Sequence, residues 1–406
     1  MVGGGPAGAS TAWSLATAGV DVCVLDRATF PRSKPCAEYL SPQASRLLAD
    51  MQVLEVVEGA GSARLHGMTV HAPNGARFDG RFAAAHGFRG FRDCGLAIRR
   101  ETLDSILLDA ARRAGARVEE DAHVVDVLRD STGRADGLRV SSGQRHGGPR
   151  ELRARVVVGA DGLRSVVARR MGLARQARWP RRFAFVCHYT GVDGVGENGE
   201  MHVARDGYCG LADVGGGVTN IAVVVPRRLA IHARGDVDAF VEERLTRHAA
   251  LRDRFTRAVR ISPVRVTGPF AQHVRRGWDP GVALVGDAAE FFDPFTGEGI
   301  YTALRGGELL APYVLEATRT DSAAGDGALA EYERQRIAEF RGKWRVERLV
   351  GIAVAFPALM NRAAKSLSRR RQLADLLIGV TGDFVPTREV LRPRVLLQLL
   401  APFGSP

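Results

Sequence analysis

The sequence predicts an α/β fold in which a parallel sheet, assembled from distant segments, is interleaved with an antiparallel sheet. Continuously apolar runs at residues 156–158 and 282–285 end in glycine turns, and a third such turn follows the first two residues. These runs are typical of buried parallel strands, whereas the alternation around the Asn74-Gly75 turn is typical of an antiparallel hairpin. The predicted regions are a discontinuous α/β domain (1–59, 99–175 and 271–320), an antiparallel domain (60–98 and 176–270) and a C-terminal helical region (321–406).

Composition narrows the classes of protein to which the chain can belong. Its 406 residues are 45% hydrophobic and 25% charged, as in a globular protein, and its formal net charge is +12. The basic residues are nearly all arginines spread along the chain, as in proteins of GC-rich genomes, so no nucleic-acid partner is expected. Five cysteines form no CxxC pair, so neither disulfides nor a metal site are expected. Without a signal peptide or a membrane-length apolar run, a cytoplasmic protein is expected.

The first motif is Gly3-x-Gly5-x-x-Gly8, with Pro6 and Ala7 inside it. An Ala-rich helical segment follows over residues 9–18, and residues 20–25 form a second apolar strand that ends at Asp26. Three glycines at this spacing permit a tight turn and a close backbone approach, and the helix N-terminus attracts a pyrophosphate. An acid about twenty residues later is placed to bind ribose hydroxyls. The pattern predicts a Rossmann-like dinucleotide site.

The strand before this motif is unusually short, because only Met1 and Val2 precede Gly3. A strand normally has about five residues. A few residues missing from the N-terminus are therefore expected.

Two further motifs follow apolar strands. The second is Gly159-Ala160-Asp161-Gly162-Leu163-Arg164-Ser165, and the third is Gly286-Asp287-Ala288-Ala289 followed by the stretch from Asp293 to Ile300 (DPFTGEGI). An Asp at the carboxyl end of a strand lies where ligands bind in such sheets. The glycine-rich turn of the third motif begins a helix, whose free N–H groups suit a ligand with negative charge.

The three motifs, in this order and spacing, resemble those of the aromatic-hydroxylase-type FAD-dependent monooxygenase superfamily. That group includes single-component FAD monooxygenases, flavin halogenases and geranylgeranyl reductases. The segment FPRSKPCAE at residues 30–38 looks most like the geranylgeranyl-reductase-like branch, and Arg100-x-x-Leu103-Asp104 matches the superfamily's strand-to-helix element. The resemblance covers about residues 1–310 and implies a Rossmann-like FAD-binding domain of the glutathione-reductase type.

The resemblance also implies positions that bind FAD non-covalently. Gly3, Gly5 and Gly8 would hold the pyrophosphate, with Asp26 at the adenosine ribose. The other positions implied on the adenosine and phosphate side, or within the first two motifs, are Pro6, Ala7, Arg27, Arg100, Val124, Val125 and Asp161. Those implied along the ribityl chain and isoalloxazine are Gly286, Asp287, Pro294, Gly297, Gly299 and Ile300.

Two departures from the family patterns bear on the reaction. Ala37 stands where the reductases usually have a glycine after the cysteine, which argues against a reductase. The Trp-x-Trp motif of halogenases is absent, and no lysine lies between Lys34 and Lys343, which argues against halogenation.

The predicted function is a monooxygenase that takes electrons from NAD(P)H and hydroxylates a lipophilic or phenolic, polyketide-like small molecule through a flavin hydroperoxide. No second βαβ glycine motif is present, so NAD(P)H is expected to dock transiently. The alternative is a geranylgeranyl-reductase-like enzyme that reduces double bonds of a prenyl chain.

Candidate catalytic residues are Cys36, which the resemblance places near the flavin, and His188 and Tyr208 on predicted strands. A base or hydrogen-bond acceptor near the hydroxyl would assist phenol hydroxylation. The C-terminal stretch over residues 389–403 mixes Arg with Leu and Val. It is expected to pack as a helix on the FAD-binding domain, and if exposed it would permit weak peripheral membrane association. No prediction of the oligomeric state follows from the sequence.

Overall fold

The computed structural model of the chain describes residues 1–142, 149–177, 179 and 181–400. Residues 401–406, the end of the predicted C-terminal stretch and helical region, lie outside the described residues. The predicted mixed α/β fold is confirmed, and its strands and helices divide between a parallel sheet, a large mixed sheet and a C-terminal group of helices.

The strands are mostly short and are numbered in chain order. They are β1 Cys23–Leu25, β2 Tyr39–Leu40, β3 Ala63–Leu65, β4 Gly67–His71, β5 Arg77–Arg81, β6 Gly95–Ala97, β7 Arg117–Glu119, β8 Ala122–Arg129, β9 Ala135–Ser142, β10 Arg150–Arg153, β11 Val157–Gly159, β12 Ala174–Gln176, β13 Arg182–Thr190, β14 Asn198–Ala204, β15 Gly207–Asp213, β16 Val218–Pro226, β17 Val259–Arg260, β18 Arg265–Thr267, β19 Gln272–Val274, β20 Trp278–Asp279, β21 Val282–Leu284 and β22 Glu290–Phe291.

The helices are concentrated in the last quarter of the chain. They are α1 Pro6–Thr17, α2 Ala44–Asp50, α3 Leu54–Gly59, α4 Arg100–Arg113, α5 Val166–Arg170, α6 Arg227–Ala230, α7 Val237–Arg247, α8 Gly299–Arg319, α9 Ser322–Ala355, α10 Pro357–Arg369, α11 Arg371–Thr381, α12 Thr387–Val390 and α13 Pro393–Leu400.

The parallel sheet carries the three glycine motifs at its strand ends. β1 pairs in parallel with β7, and β11 pairs in parallel with β21, which has β20 as an antiparallel neighbour. Val2 joins the two halves, because it bridges both Leu25 and Gly159 in parallel. The shortened first strand therefore occupies a central position with a single fully bridged residue.

Helices α1, α4 and α8 cover one face of this sheet and share an apolar core with it. α1 begins at Pro6, which suits the first helical position because it has no N–H to leave unpaired. Gly8 lies so close to the preceding turn that a Cβ atom there would be 1.8 Å from the Gly3 carbonyl oxygen. The third glycine of the first motif is thus required by packing.

The large sheet has the strand order β17-β13-β16-β15-β14-β4-β5, with β18 also paired to β13. The predicted hairpin at Asn74-Gly75 joins β4 to β5, and Gly75 has φ of +85°. The sheet is not wholly antiparallel, because β14 pairs with β4 in parallel. These two strands come from the two separate antiparallel segments, so no hairpin fixes their relative direction.

The region over residues 60–98 does not lie entirely in the large sheet. β6 pairs with both β3 and β2, and β2 follows the segment resembling geranylgeranyl reductases. This small sheet places residues 36–40 between the α/β layer and the large sheet.

The C-terminal helices pack on the large sheet and enclose a second apolar core with it. The connection between α8 and α9 is only two residues long, and Asp321 caps α9 by accepting the Ala324 N–H. α13 packs on α10, where Ser366 Oγ donates to the Gln398 carbonyl. The expectation that this stretch packs on the α/β layer is therefore wrong.

Within the described residues, no helix combines the length and apolarity needed to cross a membrane.

Candidate functional site

A cavity, called here the main cavity, lies where the carboxyl ends of the parallel strands face the large sheet. Ligands of α/β sheets bind at this position. Its wall combines the three glycine motifs, the loop at residues 34–37, the concave side of the large sheet and one face of α9. The predicted site residues in its lining are Gly5, Pro6, Ala7, Cys36, Arg100, Tyr208, Gly286, Asp287, Pro294, Gly297, Gly299 and Ile300.

The remaining predicted site residues do not line the main cavity. They are Gly3, Gly8, Asp26, Arg27, Val124, Val125, Asp161 and His188. Asp26 ends β1 as predicted and accepts the backbone N–H groups of Gly4, at 2.7 Å, and Ala28, at 2.8 Å. Arg27 beside it is exposed, and the Val125 carbonyl accepts from Arg170 Nε. Asp161 caps α5 by accepting the Val166 N–H at 2.6 Å.

One end of the main cavity is suited to a phosphate. No side chain caps the N-terminus of α1, so its first N–H groups are free to bind an anion. Lys34 and Arg100 line the wall beside it, and Arg100 is held by a two-point contact with Asp104 (Nε–Oδ1 2.7 Å, Nη2–Oδ2 2.8 Å). Burial, together with the neighbouring Arg100, lowers the pKa of Lys34. An anionic ligand would relieve this crowding of positive charge.

The other end of the main cavity is built by the loop at residues 293–299. Asp293 is buried and accepts from Arg182 Nη1 at 2.7 Å, from the Tyr208 hydroxyl at 2.6 Å and from the Phe295 N–H. Gly297 adopts the left-handed region at φ of +73°, and a Cβ there would lie 2.9 Å from the Tyr39 ring. The Thr296 hydroxyl is buried and has no hydrogen-bond partner among the residues that the structure describes. This unpaired group and the bare glycine backbone fit a polar ring edge, as in a flavin.

Tyr208 lines the cavity, but its hydroxyl group donates a hydrogen bond to the Asp293 carboxylate. Burial and the Asp293 carboxylate raise the pKa of Tyr208 well above its ordinary value. The phenol is therefore a stable donor that anchors the loop, and it does not act as a base.

His188 lies behind the wall in a buried network. Its Nε2 is 2.7 Å from Glu38 Oε2 and its Nδ1 is 3.0 Å from Ser262 Oγ. Glu38 also accepts from the Arg100 N–H and from Asn220 Nδ2, and it adopts φ of +62°. These bonds fix the backbone that presents Cys36 to the cavity.

Cys36 occupies a positively charged corner of the main cavity. Its sulfur accepts the Glu38 N–H at 3.3 Å, and the Arg100 side chain lies beside it.

The face of α9 contributes the part of the site that the sequence analysis missed. Tyr332, Arg336, Phe340, Trp344 and Glu347 recur with helical spacing and line the main cavity. These residues follow no glycine motif. The only sequence signal for them is their 3–4-residue periodicity, which is equally typical of a helix packed in the core. Lys34 and Thr296 were also missed, although both lie inside quoted motifs.

A second cavity, called here the apolar cavity, lies between the large sheet and the C-terminal helices. Apart from Thr296 and Thr381, its wall is formed entirely by apolar side chains. Met201 and Thr296 line both cavities, so these two residues form the partition between them. The two cavities therefore adjoin at Met201 and Thr296.

A histidine cluster on the other face of the large sheet is separate from both cavities. His71, Glu200 and His202 place ligand-type atoms within 4.8 Å of one another. Both Glu200 oxygens are bound by Arg254 (2.6 and 2.9 Å), and Oε2 also contacts His202 Nε2 at 2.7 Å. The carboxylate is thus already neutralised by an arginine, and we assign no metal to it.

Comparison with known proteins agrees with this geometry. Residues 1–342 match the family described as FAD binding domain. The chain is 29% identical over 393 residues to digeranylgeranylglycerophospholipid reductase 2 of Methanopyrus kandleri, covering 95% of this chain and 93% of that protein. It is 27% identical over 405 residues to the menaquinone reductase of Mycobacterium tuberculosis, covering 95% and 90%. The solved flavoprotein/dehydrogenase of Cytophaga hutchinsonii has the same fold, with a TM-score of 0.82 at 19% identity over 97% of this chain and 94% of that one.

Proposed function

The chain belongs to the FAD binding domain family, and from this premise we propose that it is an FAD-dependent reductase of double bonds in a long apolar chain. The substrate would be a lipophilic small molecule whose reacting bond lies in the main cavity. NAD(P)H is the proposed source of electrons and would dock only transiently.

The residues on the cavity wall suit FAD from its pyrophosphate to its isoalloxazine ring. The free N–H groups at the start of α1, with Arg100, would hold the pyrophosphate, and Asp287 would reach the ribityl chain. Residues 297–300 would lie against the isoalloxazine edge. Bound FAD supplies two-electron chemistry, and the protein orients the substrate and excludes water.

The observation that carries the substrate class is the shared partition of the two cavities. Because Met201 and Thr296 belong to both walls, the polar cofactor site adjoins a compartment lined by leucine, valine, isoleucine and methionine. We propose that the substrate chain extends into this compartment past the Met201 side chain. Burial of methylene groups there would contribute about 0.8 kcal/mol each. Relatives over nearly the whole chain are named as reductases, one of them of digeranylgeranylglycerophospholipid, which supports a prenyl or alkyl chain.

The geometry favours reduction over hydroxylation of a phenol. Two residues were expected to assist deprotonation of a phenolic substrate. His188 lies outside the cavity wall, and the Tyr208 hydroxyl donates its hydrogen bond to Asp293. Neither is free to accept the phenolic proton.

Hydroxylation of a phenol that bears an alkyl chain is the second candidate, and the aromatic lining favours it. Phe270, Phe291 and Trp344 line the main cavity and offer ring faces to an aromatic head group. The apolar cavity would then hold the alkyl chain of the same molecule.

One experiment separates the two reactions. The purified FAD-loaded protein is incubated with NAD(P)H and a geranylgeranyl lipid, or with a long-chain alkylphenol, under ¹⁸O-labelled oxygen, and product masses are recorded. Reduction adds two hydrogens for each double bond and no label, and we expect this result with the geranylgeranyl lipid. Incorporation of one labelled oxygen into the alkylphenol, with the lipid unchanged, would instead establish hydroxylation.

Filling the apolar cavity is expected to weaken binding of long chains selectively. In Ala353→Phe a large ring replaces a methyl group in the cavity wall. We expect KM for a geranylgeranyl substrate to rise at least tenfold, since losing a few methylene contacts costs roughly 1–3 kcal/mol. KM for a ten-carbon prenyl substrate should change little. Ala338→Phe, at an exposed position of the same helix, is the control, and equal KM changes in both variants would contradict the assignment.

A further inference from the structure

Five acidic residues line the main cavity, and four of them have cationic or hydrogen-bonding partners. Asp293 is bound by Arg182 and Tyr208, Asp287 lies 3.9 Å from Lys34 Nζ, Glu298 lies 3.5 Å from Lys343 Nζ, and Glu290 lies 3.8 Å from Arg348. The fifth is Glu347 on α9. Among the described residues it has no hydrogen bond or ion pair, so its carboxyl group is available to a ligand.

The surroundings of Glu347 favour its neutral, proton-carrying form. Burial raises the pKa of Glu347 well above its ordinary value, and the carboxyl of Glu298 adds to this. The other charged groups that face it are Lys343 on the same helix, which opposes the shift, and Glu290 and Asp293, which increase it. A carboxylic acid in a cavity wall that forms no ion pair is the arrangement used where an acid must hold its proton near neutral pH.

Cys36, the other candidate acid, is in a different environment. The Glu38 N–H donates to its sulfur at 3.3 Å, and the Arg100 side chain lies beside it. The thiol is therefore already engaged by a donor, whereas the Glu347 carboxyl has no hydrogen-bonded partner among the described residues.

We propose that Glu347 is the catalytic acid of this enzyme, delivering the proton that completes reduction of the substrate double bond; this role rests on the proposed function. The carbon–carbon π bond breaks and two C–H bonds form. The hydride, with its electron pair, would come to one carbon from bound reduced FAD, which would be oxidised. The Glu347 carboxyl gives a proton to the adjacent carbon, and the carboxylate then regains a proton from water.

The test follows reoxidation of reduced FAD without oxygen. The holoenzyme is reduced with dithionite, mixed anaerobically with a geranylgeranyl lipid in detergent, and followed at the flavin absorbance band. In Glu347→Gln we expect FAD content and reduction by dithionite to be unchanged. Substrate-dependent reoxidation should slow at least 100-fold, which is the usual contribution of a general acid. Glu347→Asp should recover part of the rate.

Two readouts distinguish proton donation from a structural role. The wild-type rate should fall as pH rises through the raised pKa of Glu347, because only the protonated form donates, and this decrease should vanish in Glu347→Gln. Glu331→Gln changes an acid at the surface of the same helix, where Glu331 contacts Gln335, and should behave as wild type. Cys36→Ser should keep the pH dependence.

Each outcome decides between the proposals. If wild-type enzyme is reoxidised by the lipid and Glu347→Gln is reoxidised equally fast, the role of Glu347 is overturned while the proposed function stands. If FAD-loaded wild-type enzyme is not reoxidised by the lipid at all, the proposed function itself fails. Loss of the pH dependence in Cys36→Ser alone would transfer the role to the thiol.

Discussion

Gly8→Ala is expected to yield a protein that no longer retains FAD. The new methyl group would lie 1.8 Å from the Gly3 carbonyl oxygen, a backbone atom that moves only if the first turn moves. Since that turn and the start of α1 form the phosphate end of the main cavity, the displacement is transmitted to the cofactor. Overpacking of this kind costs about 1–3 kcal/mol. We expect FAD affinity to fall on the order of 100-fold, measured by flavin fluorescence titration of the apoprotein.

The matched control is Gly327→Ala in α9. Gly327 is also helical, but a Cβ there has open space around it. Alanine should therefore stabilise the helix by about 0.5–1 kcal/mol and leave FAD affinity unchanged. Wild-type affinity in Gly8→Ala would show that α1 does not pack against the glycine turn as described.

Lys343→Met is expected to cause the largest loss of stability of any single change considered. Lys343 Nζ bonds Asp383, lies 3.5 Å from Glu298 Oε2 and packs against the Tyr301 ring. Burial lowers the pKa of Lys343, but the Asp383 and Glu298 carboxylates outweigh it and hold the pKa above its ordinary value. Removing the cation leaves two buried carboxyl groups uncompensated, which costs roughly 3–5 kcal/mol in the free energy of unfolding. Urea unfolding at pH 8 measures this loss.

The pH dependence of this deficit gives a second check. Burial raises the pKa of Glu298 to about 7 and also raises the pKa of Asp383. Without the lysine both values rise further, so stability is lost as pH increases from the unfolded pKa of each group to its folded pKa. The difference between variant and wild type should therefore shrink as pH falls toward about 4. Lys365→Met, at an exposed lysine, should change stability by less than about 0.5 kcal/mol at any pH.

The features that could be predicted are those in which local sequence determines backbone geometry. Gly3, Gly5 and Gly8 permit a tight turn at the end of a strand, and the apolar runs before Gly159 and Gly286 are typical of buried strands. These constraints were sufficient to predict the parallel sheet and the cofactor end of the main cavity.

The remainder of the site depends on contacts between distant segments, which no local pattern encodes. Glu347 and Trp344 enter the cavity only because α9 crosses it, and a helix with apolar and charged residues on several sides does not reveal which face is covered. The parallel pairing of β14 with β4 likewise joins segments that are remote in the chain. His188 was expected at the substrate because it lies on a strand, but its side chain points into the network around Glu38.

The one-residue bridge at Val2 has a consequence for biosynthesis. Val2 bridges Leu25 near the start of the chain and Gly159 in β11, and β11 in turn pairs with β21. The parallel sheet can therefore form completely only after β11 and β21 have been synthesised. Pairings over such long sequence separations form slowly. We therefore expect the nascent chain to expose an open strand edge for most of its synthesis and to require chaperone protection. Flavin supplied during translation should be captured only after residues 286–300 have emerged.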